Sequence, residues 1–352
     1  MPAATTKLKH LTLSGTPKEI GQQHGTLAHA EVHGSLAFYG DFFLKKAGLQ
    51  WPEVRSTAML AHPFLESRFP HLVEEMRGLA LGAGIDYEDV LALNVRTEIA
   101  YGMQTDGCTA FAWRDGEAGG NWIGQNWDWS AEQKPNLVVV RIQRQGEGKT
   151  SIAMVTEAGI LGKIGLNDRG VGVTLNAIAA KGVDWGRLPC HLALRTVLDS
   201  ASREEAEGTL KAFGVASSCH IQIADAATGG VGLECTSEDV AVLEQDGRGV
   251  ITHSNHLVKE HKVKGSGAML TDTFFRLERM QELLKGLQRP DMAALKEVLK
   301  DQQNGPCAIN RSQTEKSTIE TLFSIVVNLH ERCAEVKVGK PTEDGESFEL
   351  RP

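Results

Sequence analysis

The apolar residues of this chain change their period at Cys108, and that change constrains the fold more than any other feature. Upstream they recur at helical spacing, as in Leu65, Phe69, Leu72, Met76 and Leu79 within residues 51–81. Thr16-Pro17-Lys18-Glu19 has the marks of a helix start, with proline in the first turn and an acid soon after. Residues 20–44 continue without proline, and one more helix over 87–101 followed by a short linker leads to Cys108. From Cys108 onward the runs are short, β-prone and bounded by glycine. Residues 108–113 and 121–127 flank Asp115-Gly-Glu-Ala-Gly-Gly120, which reads as a hairpin.

Strands are expected next at 137–143, 151–156, 162–167 and 172–177, each bounded by Gly, Asn or Asp. The pattern over 190–213 is helical, and strands resume at 220–224, 232–234, 240–243 and 249–253. Helices over 271–287 and 291–300 precede a closing hairpin, 321–329 with 334–338. Two blocks of strands with helices between and outside them fit a layered α+β architecture, not an alternating parallel sheet. With no low-complexity linker and no repeat, the 352 residues read as one compact domain preceded by a helical segment.

A net charge of −8 argues against nucleic acid as a partner, since binding there depends on basic neutralisation of phosphate. An anionic small molecule needs only a local basic pocket. No run approaches the ~20 apolar residues of a membrane span. The first residues lack the apolar core of a secretion signal and the last carry no peroxisomal or retention tail, so a cytoplasmic enzyme is expected. The six cysteines are scattered without a Cys-x-x-Cys pair, which favours neither a zinc site nor a disulfide framework. His253, His256 and His261 lie close together but have no acid or thiol at ligand spacing, so no metal is expected. His24 and His256 read instead as hydrogen-bonded core residues.

Chemistry is expected at Asp106-Gly107-Cys108-Thr109. Glycine before the cysteine permits backbone conformations closed to other residues, which helps a thiol attack its own preceding carbonyl. Hydrolysis of the resulting thioester frees an α-amine that titrates near pH ~8, a built-in base beside the thiol. By itself Gly-Cys more often marks a turn into a core strand. The returning strand, however, ends in Gly124-Gln-Asn-Trp-Asp128, and a hairpin of this length brings Asp128 back beside Cys108. The carboxylate there would orient the α-amine or hold an amino group of the substrate.

These two segments together resemble the acyl-coenzyme A:6-aminopenicillanate (isopenicillin N) acyltransferase family of N-terminal-nucleophile proteins. The likeness runs in order through Gly15-Thr-Pro-Lys-Glu-Ile-Gly-Gln-Gln-His-Gly25, Leu93-Asn-Val-Arg-Thr-Glu-Ile-Ala-Tyr-Gly102, Thr156-Glu-Ala-Gly-Ile-Leu-Gly-Lys-Ile-Gly165, Gly170-Val-Gly-Val-Thr-Leu-Asn-Ala177, Ser254-Asn-His-Leu257 and Leu322-Phe-Ser-Ile-Val-Val-Asn-Leu329. The resemblance implies a four-layer αββα sandwich and a zymogen cut by autoproteolysis between Gly107 and Cys108. Residues 1–107 would be a mostly helical α subunit retained by 108–352, the β subunit that carries the nucleophile and both sheets.

The resemblance further implies Asn255 as a side-chain donor to the oxyanion, with Asn176 a second pocket asparagine. Arg311 would meet a substrate carboxylate or support the nucleophile, although a solvated arginine fits its segment equally well. Thr109 would donate to the scissile carbonyl, and Arg96 with Glu98 would brace the precursor loop as a buried pair. The implied reaction passes an acyl group from a thioester such as acyl-coenzyme A through Cys108 to an amine, with no cofactor. The tail departs from that of penicillin-making members, so a small amide or amino-acid-derived acceptor is expected. Water as acceptor would make the same machinery an amide hydrolase. A conventional Cys-His protease without internal cleavage and a non-catalytic relative are the other readings.

Overall fold

The computed structural model describes residues 7–100, 107–116, 120–144, 146, 148–263, 271–315 and 317–352. Ahead of Cys108 it contains β1 (Lys9–Ser14), α1 (Pro17–Leu27), α2 (His29–Ala47), α3 (Trp51–Ala58), α4 (His62–Arg68), α5 (Pro70–Ala83), α6 (Tyr87–Asn94) and α7 (Arg96–Ile99). Thr16 caps α1 through a reciprocal pair of bonds with Glu19, as the motif implied. The helical stretch over 51–81 is divided because Pro52, Pro63 and Pro70 each occupy the first turn of a new helix. Proline lacks the N–H that an interior position must donate. Likewise the run over 20–44 breaks at Ala28, between α1 and α2. The linker expected before Cys108, with Asp106, lies outside the described residues, as does part of the turn after Asp115.

From Cys108 the chain forms β2 (Gly107–Asp115), β3 (Gly120–Ser130), β4 (Leu137–Gln143), β5 (Ile152–Glu157), β6 (Ile164–Asn167) and β7 (Val171–Ala177). Next come α8 (Cys190–Asp199), α9 (Arg203–Phe213), β8 (Cys219–Asp225), β9 (Gly229–Cys235), β10 (Val240–Leu243) and β11 (Val250–His253). The remaining elements are α10 (Asp272–Gly286), α11 (Met292–Leu299), β12 (Ile319–Asn328), β13 (Cys333–Val338) and β14 (Ser347–Leu350). The closing hairpin therefore gains a third strand, β14, that the pattern did not suggest.

The strands form two sheets. Eight run in the order β1-β4-β5-β6-β7-β8-β9-β10, and six in the order β11-β2-β3-β12-β13-β14. Neighbours are antiparallel except β1 and β4, which pair in parallel. β1 comes from ahead of Cys108, where only helices were expected, so both parts of the chain share the eight-stranded sheet. Residues of β2 alternate between the layers. Cys108 and Ala112 join the core between the sheets, whereas Phe111 and Trp113 pack outward with Met280 and Leu284 of α10 and Leu295 of α11. Helices α8 and α9 cover the outer face of the eight-stranded sheet, completing the four-layer αββα sandwich.

The upstream helices attach through an unusually close crossing. A Cβ on Gly21 or Gly25 of α1 would lie 1.9 or 2.3 Å from the carbonyl oxygens of Glu75 or Leu79 in α5. A Cβ on Gly78 or Gly82 would meet α1 backbone as closely, at 2.0 and 2.1 Å. No described helix is long and apolar enough to cross a membrane.

Candidate active site

The β2–β3 register builds the site. Gly107 pairs with Asp128, Cys108 with Trp127 and Thr109 with Asn126. Directly paired residues share a face, so Cys108 sits beside the Trp127 ring between the sheets, and both are fully buried. A Cβ on Gly107 would come within 2.9 Å of both Asp128 Oδ2 and Arg311 Nε. Glycine therefore lets the backbone before Cys108 approach the carboxylate and the guanidinium.

Asn255 enters two residues after β11, the strand that pairs with β2. The Cys108 backbone N–H donates to Asn255 Oδ1 at 2.8 Å, and Asn255 Nδ2 donates to the Ala177 carbonyl at 2.9 Å. One amide thus spans the two sheets across the nucleophile. Asn255 N–H donates to Thr273 Oγ1 at 2.7 Å, which ties this turn to α10.

Asp128 is fully buried. Thr321 donates to its Oδ1 at 2.7 Å, and Arg311 Nε stands 3.6 Å from its Oδ2, which accepts no hydrogen bond among the described residues. Burial pushes its carboxyl up to about 7, against the opposing pull of Arg311 and Arg276. Arg311 is also buried and donates to Asp272. The structure therefore places it on the carboxylates beside Cys108, not in solvent.

Arg276 was not anticipated from the sequence. Its Nη1 donates to the Cys108 carbonyl at 2.7 Å and to Thr109 Oγ1 at 2.9 Å, while Nη2 donates to Asn255 Oδ1 at 2.8 Å. Its Nε is bound by Asp272 Oδ2 at 2.7 Å, the oxygen that Arg311 also uses. The available signal was an arginine on the buried stripe of α10 formed by Thr273, Leu277, Met280 and Leu284. Thr109 faces this arginine, away from the thiol's side of the sheet.

Asn176 does not join this cluster directly. Its Oδ1 meets His220 Nδ1 at 3.0 Å, and only its neighbour Ala177 touches Asn255. Arg96 and Glu98 do not behave as the expected pair. Arg96 donates to Glu157 at 2.8 Å, and Glu98 accepts from Cys190 N–H at 2.8 Å and Ser217 Oγ at 2.7 Å. Both bind residues downstream of Cys108. Glu157 also holds Lys163, whose fully buried Nζ lies 2.6 Å from its Oε2 and 3.7 Å from the Trp127 ring centroid. His24 and His256 are buried, bonding Gly159 N–H and Thr273 Oγ1 respectively.

A family model described as acyl-coenzyme A:6-aminopenicillanic acid acyl-transferase matches residues 114–343. The chain is 35% identical over 347 residues to the 40 kDa form of an acyl-coenzyme A:6-aminopenicillanic-acid-acyltransferase of Emericella nidulans, covering 96% of this chain and 95% of that one. Among solved structures, penicillin V acylase from Agrobacterium tumefaciens aligns over 69% of this chain and 85% of its own, at 16% identity and a TM-score of 0.45. A variant of conjugated bile acid hydrolase from Clostridium perfringens aligns over 69% and 92%, at 15% identity and a TM-score of 0.49.

Proposed function

Because the chain belongs to the acyl-coenzyme A:6-aminopenicillanic acid acyl-transferase family, we propose that it cuts itself between Gly107 and Cys108 and then uses the Cys108 thiol to carry an acyl group from acyl-coenzyme A to an amine such as 6-aminopenicillanic acid. In processing, sulfur adds to the Gly107 carbonyl carbon and the C–N bond breaks, with the thiol proton passing to the departing nitrogen. Water cleaves the thioester, leaving a carboxylate on Gly107 and a free α-amine on Cys108. In turnover that amine takes the thiol proton and the sulfur displaces coenzyme A from the acyl carbon. The acceptor amine then displaces the sulfur and forms the amide.

The observation that carries this reading is the 2.8 Å bond from Cys108 N–H to Asn255 Oδ1. The nitrogen that becomes the base is held before it is released, and its holder is fixed by Arg276 and Ala177. Asn255 Nδ2 has a second hydrogen besides the one given to Ala177, and that hydrogen meets the developing oxyanion. Asp128 orients the α-amine or an amino group of the substrate, Arg311, paired with Asp128 and Asp272, meets a substrate carboxylate or supports the nucleophile, and Asn176 is a second pocket asparagine. A cleft of about 360 Å³ begins one residue beyond Asp128; Phe38, Phe42, Trp129 and Ile319 give it an apolar wall, while Asp41, Lys45, Lys46 and Glu132 make another part of its lining charged.

The test is an intact-mass spectrum of the purified protein together with an acyl-transfer assay. Two fragments breaking at Gly107/Cys108 are expected, with Cys108→Ala abolishing both the split and the transfer. An unbroken chain that still takes up acyl groups would point to a Cys-His protease-like mechanism instead. Release of free acid at a rate independent of added amine would make the enzyme an amide hydrolase.

A further inference from the structure

Outside the cluster already described, one carboxylate gathers an entire turn around itself. Glu234, on β9 of the eight-stranded sheet, is fully buried. Its Oε1 meets His253 Nε2 at 2.7 Å and accepts from Val258 N–H at 2.6 Å. Its Oε2 accepts from Lys259 N–H at 2.8 Å and meets His261 Nε2 at 3.2 Å. These four partners bracket Asn255, one two residues before it and three between three and six residues after it. The turn over 253–261 is therefore closed on a single side chain that belongs to the opposite sheet.

The imidazoles strengthen the closure. His253 directs Nδ1 at the Ser254 carbonyl at 2.8 Å, and His261 directs Nδ1 at Asp239 Oδ1 at 2.7 Å. Both rings thus have an oxygen at each nitrogen and are locked in rotation. The His253 ring stacks on His220 with centroids 3.7 Å apart, and His220 in turn meets Asn176. Burial raises the Glu234 carboxyl, but its bonds to His253, Val258 and Lys259 outweigh that and leave it below the usual carboxylate range.

We infer that Glu234 is a positioning residue for Asn255, setting through the turn over 253–261 where the Asn255 amide stands against Cys108. This rests on the proposed role of Asn255 in processing and transfer. Asn255 must reach Cys108 N on one sheet and Ala177 O on the other at once. Among the described residues its own backbone is bonded only to α10, through Thr273. Glu234 supplies the missing reference to the eight-stranded sheet, and without it four donors lose a buried acceptor and the turn relaxes. A displacement of about 1 Å at such a group costs on the order of 10²-fold in rate.

The test compares Glu234→Gln with Glu75→Gln, which weakens a buried ion pair in another part of the molecule. For each, the melting temperature, the processing rate, and kcat and KM for the amine acceptor are measured. Glu234→Gln is expected to lower kcat and the processing rate about 10- to 100-fold with KM changed less than about threefold. Glu75→Gln should lose stability with kcat intact. Should Glu234→Gln fail to fold, His261→Leu removes one of the four donors and is expected to lower kcat about threefold. If kcat in Glu234→Gln, or in its substitute, falls no further than in Glu75→Gln at equal folded fraction, the positioning role is overturned. A wild-type chain that remains uncut, or a Cys108→Ala chain that stays active, overturns the underlying reading instead, whatever Glu234 does.

Discussion

At the scale of single residues, Asp128 is where stability and chemistry conflict. Its carboxyl is raised to about 7 by burial, so the folded protein prefers it neutral. The unfolded chain ionises it near pH ~4, so folded stability falls as pH rises from about 4 to about 7, by at most about 4 kcal/mol. Asp128→Asn removes that loss. Its melting temperature should exceed that of the wild type at pH 8 and approach it at pH 4, as calorimetry across that range will read. Function runs the other way, because the proposed role needs the carboxylate. Acyl transfer should accelerate through about pH 7 in the wild type, and in Asp128→Asn that step should vanish with a rate about 10²-fold lower. An α-amine ordinarily titrates higher, near pH ~8, so a step near 7 belongs to the carboxylate. Cys108 and Asp128 were legible in the sequence because hairpin length suffices to bring them together, and Asn255 through the family resemblance alone. Arg276 and Glu234 were not, since each reaches the site from an element whose place no local pattern reveals.

At the scale of elements, period and punctuation located nearly every strand and helix after Cys108, because glycine-bounded β-prone runs and amphipathic stripes are local properties. What they could not supply was order. β4 follows β3 in the chain yet lies in the other sheet, and β12 returns from nearly two hundred residues away to pair with β3. β1 was missed because six residues with only Leu11 and Leu13 inward carry little signal, and their partner β4 begins more than a hundred residues later. The α1–α5 crossing was equally hidden, although its four glycines fall at spacings of four in each helix. Gly25→Val tests it. The new Cβ would lie 2.3 Å from the Leu79 carbonyl oxygen, a backbone atom that cannot rotate away, so the helices must separate. The expected loss is about 3 kcal/mol, seen as a lowered urea midpoint with an unchanged slope. Activity per folded molecule should persist, since neither helix contributes a residue to the Cys108 cluster.

At the scale of the whole molecule, the proposed cut would fall within a structure already tied together across it. β1 pairs with β4 through six residues, from Lys9 opposite Val138 to Ser14 opposite Gln143. Arg96 and Tyr39 both reach Glu157, and Glu98 holds the start of α8. The strongest of these ties is Glu75 of α5 with Arg195 of α8, two bonds of 2.7 Å between buried side chains. Such a bidentate pair contributes little over an apolar replacement of both partners, but removing one strands the other without its counter-charge. Arg195→Met should therefore cost about 3–5 kcal/mol, because it leaves the Glu75 carboxylate buried in the interface between the two segments. After processing, that interface is all that joins residues 1–107 to 108–352. Wild-type fragments should co-elute in gel filtration and part only in the same urea range in which the sheets unfold. In Arg195→Met they should separate at lower urea, before the β-sheet signal is lost. Coincident transitions in the variant would show that the pair stabilises the sandwich as a whole and not the join, and fragments that part freely in the wild type would show that the helical segment is not retained.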